Sequence, residues 1–254
     1  MSAPMSASRR LADVDQTGRV HLLDADPDLT QDLDPPSIAE VRRRAVALIR
    51  RLETGPWEVA AEHFNPRGHL GLFVLDGVLM RDVELAGTLA SEPLGPGDLL
   101  RPWDDDEFAS VPVESTWTVL EPTRLAVLDQ RFAAAVSPWP ELMAVIAARY
   151  VRRSRWLALQ VALSHKRRID ARLLVLFWNL ADRWGRVRPE GVFLSLRVTH
   201  EELGRLVGAH RPSVTTALNQ LSERGLVRRQ EDGWLLRHGD PREDLDRYLS
   251  AAPD

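Results

Sequence analysis

The chain contains no cysteine, which excludes disulfides, thiol catalysis and iron–sulfur ligation. Lys166 is its only lysine, against 32 arginines. That imbalance reads as a coding bias, as in a GC-rich bacterial genome, rather than as chemistry. No apolar run, Leu173 to Trp178 included, approaches membrane-spanning length. The N-terminus lacks a signal-peptide core, so a cytoplasmic location and no membrane contact are expected. P-loop, Rossmann-glycine and nucleophile–base patterns are all missing. His21, His63 and His69 are too scattered for a metal motif. No enzymatic activity, cofactor or metal site is expected.

What is present is 254 residues, 44% of them hydrophobic. That suits two modest domains with real cores, or one large domain. The formal net charge of −4 is unevenly placed. Residues 166–239 carry 14 basic and 8 acidic side chains, a net of +6. Residues 1–165 carry 17 basic and 24 acidic (−7), and residues 240–254 carry 2 basic and 5 acidic (−3). A basic module on an acidic remainder is the electrostatic footprint of a nucleic-acid binder.

The most informative stretch is 199–226, THEELGRLVGAHRPSVTTALNQLSERGL. Leu203, Leu206 and Val207 give one helix an apolar face, and Val214, Leu218 and Leu221 give a second helix a matching one. Gly208 ends the first helix, where a positive φ is usually needed. Gly204 lets the helices cross closely, and Pro212 sits in the first turn of the second, where a missing N–H costs nothing. Gly225 closes that helix. Leu226 to Gln230 and Trp234 to His238 flank Glu231-Asp232-Gly233, a hairpin signal. Two helices followed by a hairpin make a winged helix-turn-helix. A plain helical hairpin packed in a core is the competing reading. The second helix weighs against it, because Arg211, Ser213, Thr215, Thr216 and Asn219 are donors with no carboxylate among them.

Elsewhere, residues 1–20 are polar and without period, predicting a mobile leader. Val20 to Leu23 reads as a short strand. Residues 36–52 read as one helix, with Ile38, Val41, Ala45, Leu48 and Leu52 as its apolar stripe and Arg42, Arg43, Arg44, Arg50 and Arg51 on a solvated face. Trp57 to Phe64, His69 to Leu75, Val78 to Leu85, Thr116 to Leu120 and Arg124 to Leu128 read as strands. Asp76-Gly77 and Gly95-Pro96-Gly97-Asp98 are the expected turns. Many short strands argue for a small antiparallel sandwich or barrel.

Pro138 and Pro140 open a helix predicted to run to about Ser164. It has two apolar stripes, one through Leu142, Ile146, Tyr150, Arg153, Leu157 and Val161, the other through Val145, Trp156, Leu159 and Leu163. Two stripes suggest two partners, the β-domain and a second copy of the helix; burial on both sides within one subunit is the alternative. The polar run 164–168 is a plausible hinge. Residues 169–184 read as the first helix of the DNA-binding core, and Val192 to Leu196 as a short strand. No role is derived for the tail.

A β-roll, a long helix, a hinge and a winged helix, in that order, resemble the cyclic-AMP receptor protein/FNR family of bacterial transcription regulators. The resemblance spans roughly 56–239 and is specific at 199–229, THEELGRLVGAHRPSVTTALNQLSERGLVRR. It implies an α+β chain divided at 21–137 (cyclic-nucleotide-binding-like β-roll), 138–165 (dimerisation helix and hinge) and 166–239 (winged helix-turn-helix), with a leader at 1–20 and an acidic tail at 240–254. It further implies a homodimer on a palindromic operator. Arg211 then stands where the family contacts a guanine, and Thr199 and Ser213 where it holds phosphates. His200, His210, Thr215, Thr216, Asn219, Arg228 and Arg229 complete the expected DNA-binding set. Pro212 replaces a glutamate that reads cytosine in many members.

The sensor half departs from the family. After Gly95-Pro96-Gly97-Asp98 comes Leu99-Leu100-Arg101-Pro102-Trp103, not the Gly-Glu pair of nucleotide binders. Near the family's phosphate-binding arginine stand Val113, Glu114 and Ser115, and Asp104 to Glu107 is acidic. Control by cyclic AMP is therefore not expected. Arg101 and Trp103 offer a cation and a stacking face to another effector, with a purely structural role as the alternative. The expected partners are double-stranded DNA and a second copy, with RNA polymerase a further candidate.

Overall fold

The computed structural model describes residues 18–59, 68–104 and 113–237, together with Asp246 and Tyr248. The N-terminal unit is a seven-stranded antiparallel sheet built from β1 (Arg19–His21), β2 (Val46–Leu52), β3 (Gly55–Pro56), β4 (Gly71–Leu85), β5 (Thr88–Leu94), β6 (Leu99–Leu100) and β7 (Glu114–Leu128). Its main path runs β1-β2-β7-β4-β5, with β3 on β7 and β6 on β4. Helices α1 (Leu22–Ala25), α2 (Pro35–Arg44) and α3 (Gln130–Val136) flank it. Helix α4 (Pro140–Ser164) then crosses to the C-terminal unit. There α5 (Ile169–Trp184), α6 (His200–Val207) and α7 (Arg211–Glu223) pack on a four-stranded sheet of β8 (Gly185–Arg188), β9 (Gly191–Leu194), β10 (Val227–Gln230) and β11 (Gly233–Arg237). Among the described residues, no helix is long and apolar enough to cross a membrane.

Several sequence expectations change. The helix expected over 36–52 stops at Arg44, and its second half is strand β2. In β2 the alternation of a strand replaces the helical stripe: Ala47, Ile49 and Leu52 are buried, Leu48 is exposed, and Arg50 is buried rather than solvated. Asp76-Gly77 is not a hairpin but a bulged point inside continuous β4, where the register against β7 shifts. Gly77 has φ +83, and a side chain there would collide with Pro122 and Thr123 of β7. Asp-Gly therefore serves close strand approach here, one of the other uses of glycine in a strand. The real β4–β5 turn is Ala86-Gly87, both with positive φ, a two-residue connection suited to twisted strands. Thr116–Leu120 and Arg124–Leu128 likewise merge into one strand through Pro122.

Trp57 to Val59 lies outside any strand, and the rest of that expected strand lies outside the described residues, as do His63 and Asp105 to Glu107. Of the expected leader, residues 18–20 belong to the fold, with Arg19 and Val20 in β1 paired to β2; residues 1–17 lie outside the described ones. Leu22-Leu23 enters α1 instead of extending the strand.

Candidate nucleic-acid interface

Thr199 caps α6 by accepting from the Glu202 N–H, while the Glu202 carboxylate accepts from the Thr199 N–H at 2.6 Å. This reciprocal box fixes where α6 starts. Gly208 ends α6 in the left-handed region, φ +63. Gly204 packs so closely on the Ala209 carbonyl that no side chain fits. Arg172 of α5 donates to the carbonyls of Val207 and Gly208 at 2.9 and 3.2 Å. It thereby satisfies acceptors that a helix end leaves open. The turn between α6 and α7 is thus held by a cap, two glycines and an arginine from a third helix.

Helix α7 buries Val214, Ala217, Leu218 and Leu221 against α5, α6 and the sheet. Its opposite side presents Arg211, Pro212, Ser213, Thr216, Asn219 and Gln220 to solvent. Arg211 has no ion-pair partner among the described residues. His210 occupies the cap position without a side-chain cap bond, and it is exposed. Thr215 is only half-exposed. Its Oγ1 donates to the Arg211 carbonyl at 3.1 Å and lies 2.8 Å from His200 Nδ1. Burial, then the charges of Arg229 and Arg211, hold the His200 imidazole below its usual pKa. Arg228 and Arg229 alternate along β10. Arg228 is exposed and has no ion-pair partner among the described residues, whereas Arg229 lies 5.0 Å over the Trp234 ring and donates to the Val198 carbonyl. All ten expected DNA contacts therefore fall on α6, α7, their turn and the wing. Arg172 and the His200–Thr215 bond have no local sequence signal, because their partners lie 15 to 36 residues away.

The tail also contributes. The Tyr248 hydroxyl donates to Asp170, and Arg168 and Arg224 lie over its ring at 4.6 and 5.1 Å. Against the raising effect of burial, Arg168, Tyr248 and the Ala171 N–H hold the Asp170 carboxyl below its usual pKa.

Residues 168–242 match the family described as the Crp-like helix-turn-helix domain. This segment is a Crp-like helix-turn-helix domain. No curated protein matches the chain by sequence. Among solved structures, the chain is similar to a CooA mutant from Carboxydothermus hydrogenoformans at 17% identity and TM-score 0.58, covering 80% of this chain and 87% of that one. It is similar to FixK2 from Bradyrhizobium japonicum at 15% identity and TM-score 0.57, with coverages of 82% and 99%. It is also similar to CLP, a c-di-GMP-responsive global regulator of Xanthomonas campestris, at 21% identity and TM-score 0.52, with coverages of 81% and 100%. The chain thus shares the overall fold of these solved structures and carries a Crp-like helix-turn-helix domain over residues 168–242.

The Crp-like domain is docked on the sheet unit. Arg205 of α6 donates to Asp82 of β4 at 2.7 Å, and Trp184 Nε1 donates to the Pro96 carbonyl at 3.2 Å. Val78 and Met80 of β4 join the domain's core.

Helix α4 departs from the expected dimer surface. Leu142 and Ile146 are buried in the core of the sheet unit. The Tyr150 hydroxyl donates to the Leu70 carbonyl, and Arg153 binds Glu92 through two bonds of 2.7 Å. These four face their own subunit, because the stripe follows the helix into its own sheet. Leu157 and Val161 stay exposed, as do Val151 and Leu159.

The expected effector pair is engaged internally. Arg101 donates to the His69 carbonyl at 2.6 Å and lies 5.6 Å over the Trp103 ring, which packs edge-on against His69. These contacts are the structural alternative for both residues.

Proposed function

We propose that the protein is a homodimeric, cytoplasmic transcription regulator that binds a palindromic DNA operator, with α7 of each copy in a major groove. The observation that carries this is the exposed side of α7. Arg211, Ser213, Thr216 and Asn219 stand there, and the one carboxylate of the helix, Glu223, lies at its far C-terminal end, on a domain of net charge +6. Arg211 takes a guanine through its fork. Thr199, His200, His210, Ser213, Arg228 and Arg229 approach phosphates, which set register rather than sequence. Thr215, half-covered, lines the same surface.

The second copy meets the outer face of α4. Ala144, Ala147, Val151, Ser154, Ala158 and Val161 are exposed there, at the three- and four-residue steps of a helix-pair seam, with exposed Leu157 at its edge. Two-fold symmetry then requires inverted half-sites about 10–10.5 base pairs apart, or a multiple of that. RNA polymerase is the partner through which a bound dimer would act on a promoter.

Control by cyclic AMP is not part of this reading. The segment after Gly97-Asp98 is Leu99-Leu100, both buried, and Arg101 is held by the His69 carbonyl. A second reading, gating by another small molecule, is favoured by a cleft of about 320 Å3 between α4 and α5. Arg152, Arg155, Trp156, Asn179 and Arg183 are among the residues lining it.

The test is selection of duplexes from a random library by the full chain. Enrichment of an inverted repeat is expected. Recovery of no common sequence, or of an asymmetric one, would overturn the proposal. Calorimetry with cyclic AMP is expected to give no micromolar binding.

A further inference from the structure

Arg211 has an evident counterpart in guanine, but the residue at Pro212 can neither donate nor carry a carboxylate. The next base must be read by other groups. On the exposed side of α7 the next outward-facing residue after Ser213 is Thr216. A threonine hydroxyl carries one hydrogen. That of Thr216 goes to the Pro212 carbonyl four residues back, at 3.2 Å, a usual arrangement for threonine within a helix. Thr215 spends its hydroxyl in the same way on Arg211, and His200 closes its other side. What Thr216 turns toward a base is therefore a methyl group beside an oxygen that can accept but not donate.

The major-groove edges respond differently to such a group. Guanine presents two acceptors, which find no donor in it. Thymine presents its C5 methyl, which gains by meeting another apolar group. We propose that Thr216 is a specificity-determining residue that reads the C5 methyl of a thymine near the guanine taken by Arg211, an assignment that rests on the DNA-binding reading above. Five residues of helix span about 7.5 Å, so the thymine lies within about two base-pair steps of that guanine.

The experiment starts from the operator selected by the full chain. The thymine is replaced by deoxyuridine, which pairs identically but lacks the methyl, and affinities are titrated at one salt concentration. The unmodified protein should lose about four-fold per half-site, the effect of withdrawing one methyl-sized apolar contact. Thr216→Ser should bind the thymine operator about four-fold more weakly and become indifferent to the exchange. Thr216→Val, which keeps a methyl and loses the hydroxyl, should still discriminate. The assignment is overturned if the unmodified protein binds both duplexes equally, if Thr216→Ser still discriminates, if Thr216→Val does not, or if the operator has no thymine there. Enrichment of no duplex at all would instead overturn the DNA-binding reading, and this assignment with it.

Discussion

Asp98 and Arg183 join the two halves of the chain. Asp98 sits in the turn between β5 and β6 with its side chain 3% exposed, and the guanidinium of Arg183, on the first helix of the Crp-like domain, closes over it. The Gly95 N–H donates to the same carboxylate at 2.8 Å, and Arg152 of α4 approaches within 3.7 Å. Burial pushes the Asp98 carboxyl above its usual pKa, opposed by Arg183, Gly95 and Arg152. Three elements meet at this one acid, so it ties the position of the DNA-binding domain to the sensor-like sheet.

Removing either partner would leave a buried charge without compensation, which typically costs about 3 kcal/mol or more. Asp98→Ala is therefore expected to lower unfolding free energy by about 3 kcal/mol in urea titration. It should also loosen the docking of the Crp-like domain, seen as faster proteolysis between 164 and 168. A change below about 0.5 kcal/mol would mean the pair is a surface-like contact.

The outer face of α4 predicts how copies associate. Val161, 63% exposed, and Val151, 52% exposed, belong in the seam. Val161→Arg should weaken the dimer at least ten-fold in sedimentation, while leaving the fold intact. Ile146→Arg should instead unfold the sheet unit, because Ile146 is 2% exposed in the chain's own core. A clean monomer for the unmodified protein at micromolar concentration would remove the seam.

His200 predicts opposite pH effects on folding and on DNA binding. Its folded-state pKa is lowered by burial first, then by Arg229 and Arg211. Of the acids on its own helix, Glu202 is tied into the cap and Glu201 faces solvent. The neutral form is therefore favoured in the free protein. Its contribution to stability is present above about pH 6.5 and is lost as pH falls through the lowered value. A neighbouring DNA phosphate would favour the charged form, so affinity should rise over the same acid window. His200→Gln should flatten that rise. Equal pH slopes for the two proteins would place His200 away from any phosphate.

Much of this was legible in the sequence wherever the signal was local. The cap at Thr199, the left-handed Gly208, Pro212 in the first turn of α7 and the hairpin around Glu231-Asp232 all depend on neighbours within a few residues. The helices from 140 and 169 announced themselves through long periodic runs. The errors arose where tertiary contact decides. Asp76-Gly77 carries a hairpin signal, yet the approach of Pro122 and Thr123 across β7 turned it into a bulge. Residues 46–52 continue a helical stripe, yet pairing with β1 and β7 made them a strand. The stripe Leu142, Ile146, Tyr150, Arg153 was apolar enough for a partner, and its partner proved to be its own sheet.

Base reading by Arg211 is tested by comparing Arg211→Ala with the unmodified protein. Both are titrated by gel shift, at one fixed salt concentration, on the selected operator and on a scrambled duplex of equal length. Arg211→Ala is expected to lose about 1–3 kcal/mol per half-site on the operator and far less on the scrambled duplex. Arg228→Ala, a phosphate contact in this account, should weaken both duplexes alike and reduce the salt slope by about one. Loss of the same factor on operator and scrambled duplex by Arg211→Ala would contradict base reading, leaving Arg211 as a backbone contact only.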